Sequence, residues 1–353
     1  MKVLLLGEYS GLHDNLKDGL LELGHDAILA SSGDGWKRIK SDLSFGSNGQ
    51  GLIGKLSRII AHFKNMKNFI GYDIVQLISP VIFNKHISPV LLDMILKSAE
   101  NKRTFLLAAG CDGIYFNNVS NLAYSPCHDC QQYDLSHHKC LWGEKRYKKL
   151  NYKVASAVDG IIPIMYDYAL GYRNFLNVKD TIPIPVNTNK FKYKENISRP
   201  KLSILHGINR EGFKGTKIIV KALEIIKNRY PNDVEIIING KMHLSKYLET
   251  VESVNVVVDQ CFSYSYALNA LYSMALGKVV LSGCEKECLD EFKIKNCPII
   301  NIKPSVDDIV NKIENIINNR KSISAIGFES RRFVEEFHNH IKIAQKYLDV
   351  WGK

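Results

Sequence analysis

The stretch that decides the fold is VVVDQCFSYSYALNALYSMALGKVVLSG, residues 256–283. Val256-Val257-Val258 is a β-branched apolar run with the length of a short buried strand. Asp259-Gln260 ends it, and a loop rich in Tyr and Ser follows. Leu268, Leu271, Tyr272, Ala275 and Leu276 then recur at three- and four-residue steps, the period of one apolar helix face. Gly277 stands where a C-terminal helix stop belongs, and Val279-Val280-Leu281 reads as the next strand. Strand, loop, helix, glycine and strand form one βαβ unit. In open α/β sheets, ligands bind outside the carboxyl ends of the strands.

Upstream lies a second unit of the same kind. Leu202-Ser203-Ile204-Leu205-His206-Gly207 is a strand, Ile208 to Thr216 a loop containing Arg210, Gly212, Lys214 and Gly215, and the helix starts at Lys217. Two cations and exposed backbone N–H groups at a helix start favour a diphosphate. His206 is either a core residue or a phosphate contact. Val234 to Ile238 is a further strand, ending in Asn239-Gly240, a third loop on the same side.

Together these residues resemble the GT-B glycosyltransferases, most closely the retaining group 1 type. Asp259, Gln260, Tyr266, Ala267 and the run Tyr272-Ser273-Met274-Ala275-Leu276-Gly277-Lys278 are similar to the donor-sugar motif, and Arg210 through Lys214-Gly215-Thr216 to the diphosphate motif. Many members carry two glutamates where this chain has Tyr264 and Tyr272. The resemblance implies two Rossmann-like α/β domains facing across a cleft, with a C-terminal helix returning to the first domain. It implies metal-independent transfer of a hexosyl or related sugar from a nucleotide sugar to a glycan or lipid-linked acceptor, as in surface polysaccharide synthesis. Arg210 and Lys214 are its expected catalytic cations. Gly207, Gly240, Gln260, Tyr266, Ala267, Leu268 and Tyr272 are the other expected donor contacts. Loss of both glutamates leaves two alternatives open: a GT-B-like protein that binds without chemistry, and a nucleotide-sugar epimerase.

The first half begins with strand Val3–Leu6, the loop Gly7-Glu8-Tyr9-Ser10-Gly11, a helix from Leu12 to Leu23 and a strand from Ala27 to Ala30. The loop is not the strict dinucleotide fingerprint, which disfavours NAD. It is either a tight βα turn or, by the resemblance, an acceptor-side surface, with Gly7, Glu8 and Gly11 as candidates. Arg103 to Ala109 is another strand, ending Gly110-Cys111-Asp112. Similar enzymes carry a histidine where Ala109 stands. Asp112 is either a group orienting the acceptor, hence a catalytic candidate, or a helix cap.

Cys127, Cys130, Cys140 and His137 have the ligand types of a structural zinc site, without the spacing of a standard finger. The alternative is reduced cysteines in a surface loop. Leu52 to Ile70 reads as a basic amphipathic helix carrying Lys55, Arg58, Lys64 and Lys67, which either packs on the sheet or makes weak contact with an anionic membrane.

A chain of 353 residues exceeds what one core usually serves. We expect domains at 1–186 and 187–335, then a returning helix at 336–353, with Ile182-Pro183-Ile184-Pro185-Val186-Asn187 as a proline-stiffened linker. The net charge of +11 is scattered, without a nucleic-acid motif, so a phosphorylated small substrate fits better than nucleic acid. No apolar run reaches transmembrane length and no signal peptide is recognisable. The expected location is cytoplasmic, or peripheral on the inner membrane face, with the eight cysteines reduced.

Overall fold

The structure is a computed structural model and describes residues 1–45, 60, 66–83, 87–136, 138–240 and 242–352. The chain divides into two compact units. One comprises Met1–Asn117, Leu141–Pro185 and His340–Lys353, the other Asn118–Cys140 and Val186–Asn339. The expected boundary at 186/187 lies one residue from the observed one. The excursion 118–140, read from the sequence as part of the first domain, belongs to the second unit. The expected basic helix at 52–70 falls mostly outside the described residues. Of it, Met66–Asn68 form a single tight turn.

In the first unit, β1 (Lys2–Leu6), α1 (Leu12–Glu22), β2 (Asp26–Ser31), β3 (Leu43–Ser44), β4 (Ile74–Leu77), α2 (Ser88–Leu96), β5 (Arg103–Ala108), α3 (Gly113–Asn118), α4 (Lys145–Ala157), β6 (Gly160–Pro163) and α5 (Tyr166–Tyr172) follow in order. The six strands pair in parallel as β3-β2-β1-β4-β5-β6. Strands β1 and β6 are buried throughout or nearly so, which is why they read as apolar runs rather than alternations. Strand order reverses between β1 and β4, so the Gly7–Gly11 loop leaves the sheet at its switch point.

The second unit contains β7 (Leu202–Ile208), α6 (Glu211–Lys214), α7 (Thr216–Arg229), β8 (Val234–Gly240), α8 (Leu244–Ser253), β9 (Val256–Val258), α9 (Leu268–Ala275), β10 (Val279–Ser282), α10 (Lys286–Phe292), β11 (Ile300–Asn301), α11 (Val306–Asn318) and α12 (Ile323–Phe337). Its sheet is parallel, in the order β11-β10-β9-β7-β8. Leu202, Ile204, Val256, Val258, Val279 and Leu281 of the sheet pack with Ile219, Leu223 and Ile226 of α7 and Ile309 and Ile313 of α11. Order reverses between β7 and β9, where the first strand of the unit meets the strand that opens the 256–283 stretch.

The segment expected as one returning helix, 336–353, takes in the end of one helix and the whole of a second. Helix α12 ends at Phe337 and α13 spans His340–Trp351. The His338 carbonyl accepts the Val186 N–H at 2.7 Å, and the His338 ring meets the Tyr266 hydroxyl at 3.1 Å, which breaks the run. Helix α13 belongs to the first unit, as the expectation of a returning helix required. The Trp351 indole N–H donates to Gln76 Oε1 of β4 at 3.2 Å and its ring lies 6.3 Å from that of Phe105, while Arg103 donates to the Trp351 carbonyl at 2.9 Å. Trp351→Ala removes a fully buried ring and the donor to the Gln76 amide oxygen. It should lower the unfolding free energy of the first unit by about 3–5 kcal/mol, with Trp351→Phe costing less, as measured by urea denaturation.

Candidate active site

The site is built where β7 and β9 reach their carboxyl ends. After Ile208 the chain passes Asn209 and Arg210 and makes the single helical turn α6. Gly215, at φ +73, separates it from α7. Only glycine fits there: a Cβ would lie 2.3 Å from the Cys261 Sγ, and the backbone is left-handed. The turn folds Lys214 inward. Its Nζ donates to the Gly207 carbonyl at 2.9 Å and to Asp259 Oδ1 at 2.7 Å, with the two side chains only 4% and 1% exposed. The Asp259 N–H donates to the Leu281 carbonyl at 2.8 Å, and Cys261 N–H to the Lys214 carbonyl at 3.1 Å. One buried ion pair therefore ties the β7 loop to the β9 loop across the switch point.

Beneath it, His206 is fully buried. The Val258 carbonyl, 2.8 Å from Nδ1, can only accept, so Nδ1 carries the proton. The second ring nitrogen then accepts from the Thr216 hydroxyl at 3.0 Å, at the first turn of α7. Burial, reinforced by the Lys214 charge, pushes the His206 pKa down to about 4. His206 is thus a neutral strut between β7, β9 and α7.

Arg210 is the half-exposed cation of the group. Its guanidinium lies 4.0 Å from the Phe213 ring centroid and donates to Cys130 Sγ at 3.2 Å. The carboxylate of Asp134 accepts the backbone N–H groups of Gly212 and Phe213 at 3.1 and 2.8 Å. No local sequence signal pointed to Asp134, because its partners are nearly eighty residues away. The same segment brings Tyr124 onto Tyr264, the rings stacked with centroids 4.7 Å apart. The Tyr264 hydroxyl accepts from the Ala123 N–H at 3.0 Å, and Tyr124 donates to Glu285 Oε1 at 2.7 Å. The motif lacks glutamates at 264 and 272, yet the fold carries two other carboxylates, Asp134 and Glu285, to the loops beside it.

The other expected donor residues divide. Gly207 and Gly240 sit at the ends of the neighbouring strands β7 and β8, with Gly240 opposite Ile208. Gln260 is buried and donates to the Ser265 carbonyl at 3.2 Å, shaping the loop that leads to α9. Ala267 is the N-cap of α9 and Leu268 its first, buried residue. Tyr266 is packed among Phe292, Phe333 and His338, and Tyr272 lies 5.0 Å from the Phe191 ring. Both tyrosines are all but inaccessible.

In the first unit, the Glu8 carboxylate accepts the N–H groups of Gly11 and Asp14 at 2.8 and 2.9 Å, capping α1 from the loop that also holds Gly7. Burial raises its pKa to about 7. Asp112 caps α3 by accepting the Tyr115 N–H at 2.7 Å, and its other oxygen accepts a hydrogen bond from the Tyr172 hydroxyl at 2.6 Å. Burial raises it to about 6. Both oxygens are engaged by the fold, which is the capping reading of this residue. Among the described residues, no group of three or more His, Cys, Asp or Glu side chains is arranged to hold a metal ion. Cys130 is instead turned to Arg210, Cys127 and Cys140 are partly exposed, and His137 lies outside the described residues.

No protein-family profile matches this sequence, and no curated protein is significantly similar to it. Solved structures are similar along its whole length. The Anabaena protein HepE, solved with UDP and glucose, superposes with a TM-score of 0.64 over 100% of both chains at 12% identity. Sucrose-phosphate synthase from Thermosynechococcus elongatus gives 0.64 over 100% of this chain and 98% of its own, at 14% identity. A glycosyltransferase from Rickettsia africae gives 0.60 over 99% and 97%, at 15% identity. The fold is GT-B. Each unit of this GT-B chain is the parallel α/β sheet with a carboxyl-end switch point that the fold requires.

Lys214→Met leaves Asp259 buried without its cation and should destabilise the second unit by about 3–5 kcal/mol, whereas Lys214→Met combined with Asp259→Leu should recover much of the loss. Chemical denaturation of the three proteins measures this. His206 gives a pH signature. Its folded pKa of about 4 lies below the ordinary 6.5, so its contribution is fully present above pH 6.5 and is lost as pH falls toward 4. A His206→Gln variant should therefore be less stable than wild type at pH 7.5, with the gap in melting temperature narrowing at pH 4.5.

Proposed function

We propose that this chain is a glycosyltransferase that takes its sugar from a nucleotide-sugar donor bound to the second unit. The observation that carries this reading is the cluster at the β7–β9 switch point: Arg210, Lys214 and the backbone N–H groups of Gly212 and Phe213, held by the Asp259 ion pair and the His206 strut. The nearness of Anabaena HepE, solved with UDP-glucose, supports a uridine nucleotide as the first donor to try.

Cleaving a sugar–phosphate bond places negative charge on the departing diphosphate. Preorganised cations and N–H groups stabilise that charge in the transition state more than in the ground state. Arg210 suits the role through its planar fork of donors. Lys214 acts as a fixed positive charge held by Asp259, adjusting little as charge develops. Two such cations serve the function that a divalent ion serves in other sugar transferases. With no carboxylate at 264 or 272 and Tyr272 buried on Phe191, we assign the ribose to other groups of the same loops, the loop of Gln260 and the end of β8 at Gly240. The acceptor class we favour is a glycan or lipid-linked sugar of a surface polysaccharide, received on the first unit. The net charge of +11 suits phosphorylated ligands and contact with an anionic membrane face. Among the described residues, no helix is long and apolar enough to cross a membrane.

Burial of Tyr272 also favours a second reading, a GT-B protein that binds a nucleotide without transfer. Calorimetric titration with UDP-, GDP- and ADP-sugars and their diphosphates tests both. We expect one nucleotide series to bind, and Arg210→Ala to weaken it at least about tenfold with an unchanged melting temperature. Release of nucleoside diphosphate from the bound sugar nucleotide separates transfer from mere binding. Failure of the folded chain to bind any of the series, as wild type and with Asp134 neutralised alike, would falsify the transferase reading.

A further inference from the structure

Residues 118–140 leave the first unit and return to it, yet they fold as part of the second. They are fastened there at two places. At the first, Tyr124 stacks on Tyr264 and donates to Glu285, and the Ala123 N–H donates to the Tyr264 hydroxyl. At the second, the helical turns of Cys127–Asp129 and Cys130–Asp134 lie along the 210–217 loop. Gly212 is required by that approach, because a Cβ there would fall 2.0 Å from the Asp129 carbonyl oxygen. The Tyr133 ring lies under the Lys217 ammonium, 3.8 Å from ring centroid to Nζ.

The chemistry of the second fastening is specific. The Asp134 carboxylate spans two adjacent backbone N–H groups, one oxygen to each, at 3.1 and 2.8 Å. It also lies 3.9 Å from Arg210 Nε, while Arg210 donates to Cys130. The Asp134 side chain is 11% exposed. An anion held by paired N–H groups beside a guanidinium is how proteins hold a phosphate group. The groups assigned above to the donor diphosphate are thus already engaged by an anion of the chain itself.

We propose that residues 126–134 form an autoinhibitory strap in which the Asp134 carboxylate competes with the donor diphosphate for Arg210 and for the N–H groups of Gly212 and Phe213. The inference rests on the donor-site reading and adds its regulation. A diphosphate binds by displacing Asp134, the strap peels from the 210–217 loop, and the Tyr124–Tyr264 fastening keeps it attached. Nucleotide affinity then reports the difference between two anions at one site, and whatever holds the strap away raises it.

The test is calorimetric titration of the full chain with UDP, GDP, ADP and inorganic pyrophosphate, for wild type, Asp134→Asn and Asp134→Ala. Asn keeps the shape and one acceptor oxygen but removes the charge. Both variants should bind pyrophosphate and the preferred diphosphate roughly tenfold tighter or more, the change expected when one charge-assisted competitor is lost. Tyr124→Phe, which removes the hydroxyl that donates to Glu285 at the other fastening, should shift affinity in the same direction and serves if the Asp134 variants do not fold. Equal or weaker binding by folded variants overturns the strap and leaves the donor site standing, since Asp134 would then only order the loop. Absence of binding by wild type and variants alike overturns both.

Discussion

The second unit depends on one interaction, the ion pair of Lys214 with Asp259. Two charges taken out of water cost several kcal/mol each, and their attraction offsets this only when geometry and further hydrogen bonds are good. Here the ammonium also donates to the Gly207 carbonyl, and the Asp259 backbone is fixed to Leu281 of β10. The pair contributes less to stability than to position. It ties the loop after β7 to the loop after β9 across the switch point, beside the turn α6 whose Gly212 and Phe213 N–H groups donate to Asp134. His206 repeats the arrangement one layer down, neutral and bonded on both nitrogens.

Positive charge placed in this way needs a counter-charge, and the motif supplies none where similar sequences carry glutamates. Tyr264 and Tyr272 keep the packing of those positions and give up their charge. The strap restores negative charge from elsewhere in the chain, with Asp134 at Arg210, and ties Tyr264 to Glu285 through Tyr124. The negative charge beside the motif thus comes through tertiary contacts rather than from the motif itself.

The two units use buried carboxylates differently. In the second, Asp259 is paired with a lysine and Asp134 rests on N–H groups beside an arginine. In the first, Glu8 and Asp112 pair with no cation among the described residues and serve as helix caps, their pKa values raised by burial to about 7 and about 6. Raised values mean that folding favours their protonated forms, so both contributions are full at low pH and are lost as pH rises through these values, opposite in sign to His206.

The sequence by itself determined most of the strands and helices and the strand–loop–helix order around the 256–283 stretch, because hydrophobic period and glycine stops are written in consecutive residues; the two-residue β3 carries no such signal. It also marked Arg210 and Lys214, whose spacing places them in a single loop and turn. Only the tertiary structure decided what those residues touch. Lys214 meets Asp259 forty-five positions on, and Arg210 meets Cys130 and Asp134 almost eighty positions back. The transfer of 118–140 to the second unit, the break between α12 and α13, and the burial of Tyr266 and Tyr272 rest on the same kind of contact. Such contacts have no local period: they depend on which surfaces meet once the sheets have formed. Cys130 shows the difference, since its residue type pointed to a metal ligand, whereas its hydrogen-bond partner is an arginine from another loop.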